Sequence, residues 1–225
     1  MRIGIVGGTG GMGEGFALRW CFKHDVVIGS RDTQKAKAAA ENYIKIARSS
    51  YGSSMIGSIS GNDNFSLAEG ADVVVLSIPY ESIDDTCKGL SSHISTTCIV
   101  VSPIVPLGKS DAGFDYIPMV QEKKPAAEMV AEGLGPRSRI VSAFHSISEV
   151  KLKDIKSSLD ADTFVCGDDM GCVSAVNSLI SEINGLRSIY LGPLAMSYQA
   201  EALTPMLLNA SRKNKIKNPG IKLVY

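Results

Sequence analysis

RIGIVGGTGGMGEGFALRWCF, running from Arg2 to Phe22, changes character twice. Arg2–Val6 is a β-branched run of the kind that fills a buried strand, and it stops at GGTGGMG (residues 7–13). Beyond it, Met12, Phe16 and Trp20 recur every four residues, the spacing of one helix face. The stretch therefore reads strand, glycine turn, helix. Gly8, Gly10 and Gly13 fit GxGxxG, and Gly7, Gly11 and Gly15 add further positions without a Cβ. The first glycine permits a tight turn, the second lets backbone amides approach a pyrophosphate, and the third brings helix and strand together. Free amides at the helix start and the positive end of its dipole then favour phosphate. Thr9 either adds a hydroxyl toward that phosphate or is an exposed turn residue.

The second strand, DVVIGS (Asp25–Ser30), ends where a dinucleotide fold tests the ribose 2′ position. A carboxylate there selects NAD. This chain instead places Gly29, Ser30 and Arg31, with Lys35 a helical turn further on. A hydroxyl, a guanidinium and an ammonium can bond and neutralise a 2′-phosphate, so NADP is the expected dinucleotide. Asp32 either pairs with Lys35 or caps the next helix.

Downstream, helix-length segments alternate with apolar runs. A helix is predicted over residues 33–48, a weak strand over 55–59 and a helix over 64–69. Strands are predicted at VVVL, at 98–102, 140–144, 163–166 and 188–191. The pattern predicts an α/β fold: a Rossmann-type, doubly wound, mainly parallel sheet of about eight strands with a small C-terminal helical segment. Residues 1–193 are assigned to the dinucleotide-binding part with its extended sheet. Residues 194–225 are assigned to the C-terminal part, with the boundary anywhere between about 150 and 195.

Ligands of such sheets bind beyond the carboxyl ends of the strands. Those segments are Ile78-Pro79-Tyr80, Pro103-Ile104-Val105-Pro106 and His145-Ser146-Ile147. Their apolar character suits a flat ring held dry for hydride transfer, although the prolines also serve simply to stop strands. His145, at a strand end, either donates to a ligand carbonyl or makes a structural hydrogen bond. Asp168 and Asp169 read as a turn or helix cap, because adjacent side chains on a strand face opposite ways. Residues 202–225 hold five cations and no Asp or Glu, forming either a solvated tail or a basic rim for an acidic substrate.

The balance of 23 basic and 23 acidic residues argues against a nucleic-acid partner, which needs excess clustered cations. Five scattered cysteines, with no CxxC pair, read as reduced core residues, and no metal-ligand spacing is present. No charged-then-apolar leader precedes Gly4, and no apolar run approaches the roughly 18 residues of a membrane span. A cytoplasmic protein is expected, with a homodimer as the expected assembly for a fold of this kind.

Taken together, GGTGGMG, VVIGSRDTQKA, VLSIPYE, IVVSPIVPL, SAFHSIS, VCGDD, ISEINGLRSIYLGPL, ALTPMLLN and KNPGIK resemble the archaeal-type coenzyme F420-dependent NADP reductase family, across essentially the whole chain. The resemblance implies an oxidoreductase that moves hydride reversibly between NADP(H) and the deazaflavin of coenzyme F420. It implies that Thr9, Gly10, Gly11 and Met12 cradle pyrophosphate, and that Ser30, Arg31 and Lys35 hold the 2′-phosphate. Ile78, Pro79, Tyr80 and Val105 would border the nucleotide or nicotinamide. His145 and Ile147 would position the deazaflavin, and Thr204 and Pro219 would close the cleft. Glu149 stands near the cofactor where relatives carry a small residue. Tyr198 stands for a frequent Arg, and Ala202 for a polar residue. The alternatives are another NADP-dependent reductase of pyrroline-carboxylate or imine reductase type, and a nonenzymatic NADP-sensing module.

Overall fold

A computed structural model describes residues 1–136 and 138–224. In chain order the first half runs β1 (Arg2–Val6), α1 (Gly11–Trp20), β2 (Asp25–Ser30), α2 (Thr33–Tyr51), β3 (Ser58–Asp63), α3 (Asn64–Ala68), β4 (Val73–Leu76), α4 (Ile83–Leu90) and β5 (Ile99–Ser102). A hairpin, β6 (Leu107–Lys109) with β7 (Phe114–Tyr116), then leads into α5 (Ile117–Gln121) and α6 (Ala126–Leu134). The remainder is β8 (Arg139–Ser142), α7 (Glu149–Lys153), β9 (Ala161–Gly167), α8 (Met170–Ser181), β10 (Leu186–Gly192), α9 (Ser197–Glu201) and α10 (Leu203–Asn214).

Eight strands form one sheet in the order β10-β9-β8-β5-β4-β1-β2-β3, parallel throughout except where β8 meets β9. The order reverses direction at β1, with β2 on one side and β4 on the other, which opens a crevice beyond their carboxyl ends. Both faces are covered, as parallel sheets require. One core packs Ile3, Ile5 and Val101 under Phe16, Trp20 and Val176, and the other packs Val6, Val74 and Leu76 under Leu67, Ile83 and Val130. Trp20 stacks on Phe16 at 4.8 Å and meets Phe144 edge-on at 5.8 Å. Its indole N–H donates to the Leu179 carbonyl at 3.0 Å, so its polar atom is satisfied inside the core.

Two differences from the sequence reading have physical causes. Strand β3 begins at Ser58, because residues 55–57 are a crossing segment: Ile56 N donates to the Phe22 carbonyl at 2.9 Å and Gly57 passes against the His24 backbone, leaving no room for a Cβ. Helix α2 runs on to Tyr51, whose ring packs on Phe22 and whose hydroxyl donates to the Leu18 carbonyl at 3.1 Å. Asp32 caps α2, accepting from Gln34 N and Lys35 N. Asp169 likewise caps α8, and Asp168 accepts from Leu194 N at 3.0 Å. All five cysteines are buried free thiols, and burial pushes those of Cys21, Cys87 and Cys98 up to about 12. Among the described residues, no helix is long and apolar enough to cross a membrane.

The C-terminal segment is bound by buried polar contacts. The fully buried Glu201 carboxylate accepts from Ala126 N and Ala127 N at the start of α6 and from the Tyr116 hydroxyl. Asn209 clasps the Phe114 backbone through both its amide atoms. After α10 the chain returns as a strap. Asp162 N donates to the Ile221 carbonyl, Leu223 N donates to the Asp162 carboxylate, and Arg187 forks onto that carboxylate at 2.7 and 2.8 Å.

Candidate functional site

The turn after β1 is shaped by what glycine omits. Gly7 adopts φ +68°, where a side chain is strained, and its amide donates to Asn64 Oδ1. Gly13 lies so near Gly8 that a Cβ on it would fall 2.5 Å from the Gly8 Cα. That contact sets α1 directly over β1. Gly8 and Gly13 therefore build the turn without lining the surface above it. Gly10 caps α1 with extended backbone and no side-chain hydrogen bond, so the first-turn amides of α1 are left for another acceptor.

Above this turn runs a groove of about 710 Å³. Thr9, Gly10, Gly11 and Met12 form its floor, Ser30 and Arg31 its end at β2, and Ile78, Pro79 and Pro103 its wall at the ends of β4 and β5. Arg31 is exposed, and Ser30 Oγ accepts from Asp32 N at 3.2 Å. Lys35, one turn into α2, is exposed but lies outside the groove lining. Volume, glycine floor, uncapped helix start and cation at the β2 end together fit a phosphorylated dinucleotide.

His145 follows β8 through Phe144, which is held at φ +72° by its amide's bond to Thr163 Oγ1 at 2.7 Å and by its ring's contact with Phe16 at 4.9 Å. The left-handed conformation of a bulky residue is costly, and here the core beneath enforces it. The imidazole is 5% exposed, with Nε2 bonded to Ser142 Oγ at 3.3 Å. Burial pulls its pKa down to about 4, so the ring is neutral near pH 7, and its Nδ1 is buried with no hydrogen-bond partner among the described residues. The Thr204 hydroxyl donates to the His145 carbonyl and ties α10 to this loop. Ser102 Oγ, nearby on β5, is buried with no partner among the described residues.

The sheet order and the groove are those of a dinucleotide fold, and relatives carry the same plan. The sequence profile described as "NADP oxidoreductase coenzyme F420-dependent" matches residues 2–106. The F420-dependent NADP reductase of Methanocaldococcus jannaschii is 36% identical, over 99% of this chain and 98% of its own length. The chain belongs to the F420-dependent NADP reductase family. The Methanothermobacter thermautotrophicus enzyme of the same name is 32% identical over 99% of this chain and 94% of its own. A provisionally named F420-dependent NADP reductase from Arthrobacter sp. FB24 superposes with a TM-score of 0.79 at 20% identity, each chain fully covered. A pyrroline-5-carboxylate reductase from Coxiella burnetii shares the fold more distantly, with a TM-score of 0.54, 16% identity, and coverage of 84% of this chain but 58% of that one.

Within this family member, several predicted site residues are not brought to the groove. Tyr80 turns into the second core, 5% exposed, where its hydroxyl donates to the Lys124 carbonyl at 2.6 Å, because an aromatic ring gains more from burial beneath α6 than from the groove edge. Ile147 packs in the first core, 8% exposed, and Val105 is half-buried beyond the lining. Thr204, bonded to the His145 carbonyl, and the half-buried Pro219, next to the Gly220 that packs by Ala161 of β9, are not among the residues lining the groove. Tyr198 is 44% exposed and Ala202 half-buried. Of the tail cations, Lys222 pairs with Asp160, while Arg212, Lys213, Lys215 and Lys217 are all exposed. The reading missed Asn64 and Phe65 at the start of α3, Ser82 just before α4, and Asp85 and Thr86 on α4. The i, i+3, i+4 spacing of those last three was the available signal.

Proposed function

We propose that this chain carries out its family's reaction, reversible hydride transfer between NADP(H) and coenzyme F420, with the dinucleotide laid in the groove above the glycine turn. The observation that carries the reading is the groove itself, with uncapped α1 amides at one end and Arg31 at the other. A pyrophosphate would meet the amides of Gly11 and Met12. The 2′-phosphate would meet Arg31 and Ser30, with Lys35 near enough to reinforce the field. Ile78, Pro79 and Pro103 would wall the nicotinamide on its dry side.

The two substrates supply the redox chemistry: hydride leaves nicotinamide C4 for deazaflavin C5, and a proton from water balances the reduced deazaflavin. The chain binds, orients and excludes water. The neutral, buried His145 supports a positioning role: it holds the 143–148 loop against Ser142 while α10 closes over its carbonyl. The exposed cations of α10 and the strap support a basic rim for the acidic tail of F420. The single sheet running to Gly192, with helices after it, supports the division into residues 1–193 and 194–225. Five reduced thiols are in keeping with a cytoplasmic setting. Strand β10, at the end of the sheet, would suit a homodimer, which sedimentation velocity tests. Mixing purified protein with NADPH and F420 tests the reaction: the deazaflavin absorbance falls if the reading is right. An unchanged spectrum, with NADPH binding demonstrated, refutes it and leaves an NADP-sensing module.

A further inference from the structure

Glu149 lies where the groove passes over the glycine turn. A Cβ built on Gly11 would fall 2.7 Å from the Glu149 Cδ and 3.1 Å from its Oε1, so the open face of the first residue of α1 is covered by a carboxylate. This is the face a pyrophosphate must approach to reach the α1 amides, and the positive end of the helix favours an anion there. The backbone beneath Glu149 is fixed. Ser148 caps α7, and the buried Arg19 guanidinium donates to the carbonyls of Lys151, Leu152, Asp154 and Ser157. The Glu149 side chain is exposed and can turn on that fixed base. Among the residues lining the groove, Arg31 is the one cation, against the carboxylates of Glu81, Asp85 and Glu149.

We propose that Glu149 is an internal competitor for the dinucleotide's pyrophosphate. The carboxylate must turn away for the dinucleotide to seat, so binding exchanges one anion for another at the start of α1. The dinucleotide is held more weakly, and leaves faster, than the glycine floor alone would allow. The effect is confined to the pyrophosphate end, because Arg31 and the 2′-phosphate lie at the end of β2. This inference rests on the groove being the dinucleotide site.

Calorimetry on the full chain, with NADP, adenosine 2′,5′-bisphosphate and 2′-AMP as probes, tests it. E149Q removes the charge and keeps the shape, and E149A removes both. Both variants are expected to bind NADP and the bisphosphate about tenfold tighter than wild type, as expected for removing one like charge beside a phosphate in a partly exposed groove. Affinity for 2′-AMP, which carries no 5′-phosphate, is expected to stay the same. Stopped-flow release of NADP is expected to slow by a similar factor. An unchanged or weaker affinity for NADP in E149Q, or an equal gain for 2′-AMP, overturns the proposal. Wild-type protein that binds none of the three probes overturns the dinucleotide reading itself, a distinct result.

Discussion

Replacing Arg31 with Ala removes the one cation among the groove-lining residues and leaves Glu81, Asp85 and Glu149 facing a substrate that carries phosphate at both ends. A guanidinium forked onto a 2′-phosphate makes two charge-assisted hydrogen bonds, each worth about 1.5–3 kcal/mol when shielded. Arg31 is exposed, so solvent screening reduces the total to about 2 kcal/mol, or roughly 30-fold in affinity. The contact is remote from the reacting carbon and is present before and during hydride transfer. The loss is therefore expected in the KM for NADPH, with saturated turnover little changed. Arg31→Lys keeps the charge but not the fork and is expected to fall between the two. Steady-state assays with NADPH and NADH in parallel check this, because NADH lacks the phosphate and its KM is expected to stay the same. A KM for NADPH that does not move in Arg31→Ala, or an equal rise for NADH, refutes the assignment.

Gly13→Ala puts a Cβ against the Gly8 Cα, and because both are backbone positions neither yields cheaply. We expect a loss of about 2 kcal/mol in stability, read as a lower Tm, together with weaker NADP binding as α1 shifts off β1. His145 is neutral when folded, with its pKa held near 4 against an ordinary 6.5. Its contribution is therefore complete above pH 6.5 and is lost as pH falls toward 4, because the unfolded chain takes up the proton. Urea titrations of wild type are expected to lose about 1.4 kcal/mol per pH unit more than His145→Asn across that window. Equal slopes would mean that the imidazole is already charged in the fold. Asp162→Asn removes the carboxylate that holds both Arg187 and the strap amide of Leu223. Trypsin is expected to cut at Lys215 and Lys217 several-fold faster, with the sheet itself intact by circular dichroism. An unchanged cleavage rate would show that the strap is held by other contacts.

Elements whose periodicity is local were legible in the sequence. The strand, glycine turn and helix of residues 2–20 follow from patterning alone, and so do β2, β4, β5 and β8, because buried parallel strands read as continuous apolar runs, whereas the half-exposed edge strand β3 (SISGND) does not and was placed too early. Ser30 and Arg31 were legible as groove residues because their place at the end of β2 is set by chain distance from the glycines. Tyr80 was not, because pattern puts it at a strand end but cannot say whether the ring turns out to the groove or in beneath α6. Lys35 shows the same limit: it is one helical turn from Arg31 in sequence, but spacing alone does not say that its side chain stays outside the groove lining. Glu201, buried at the start of α6, and Asp162, the anchor of the strap, are long-range pairings of common residue types, and no spacing announces them. The asymmetry follows from the physics, since short-range geometry is written in neighbouring residues, whereas side-chain direction is decided by the packing of segments far apart in the chain.

In the proposed reaction, hydride passes directly from NADPH, seated over the glycine turn, to a deazaflavin beside it. NADPH carrying deuterium at C4, reacted with F420 in ordinary water under single-turnover conditions, tests this most plainly by mass spectrometry of the reduced deazaflavin. The label is expected on C5 of the product for one of the two C4 epimers. Deuterium lost to solvent from both epimers, or no reduction of F420 by protein that binds NADPH, would contradict it.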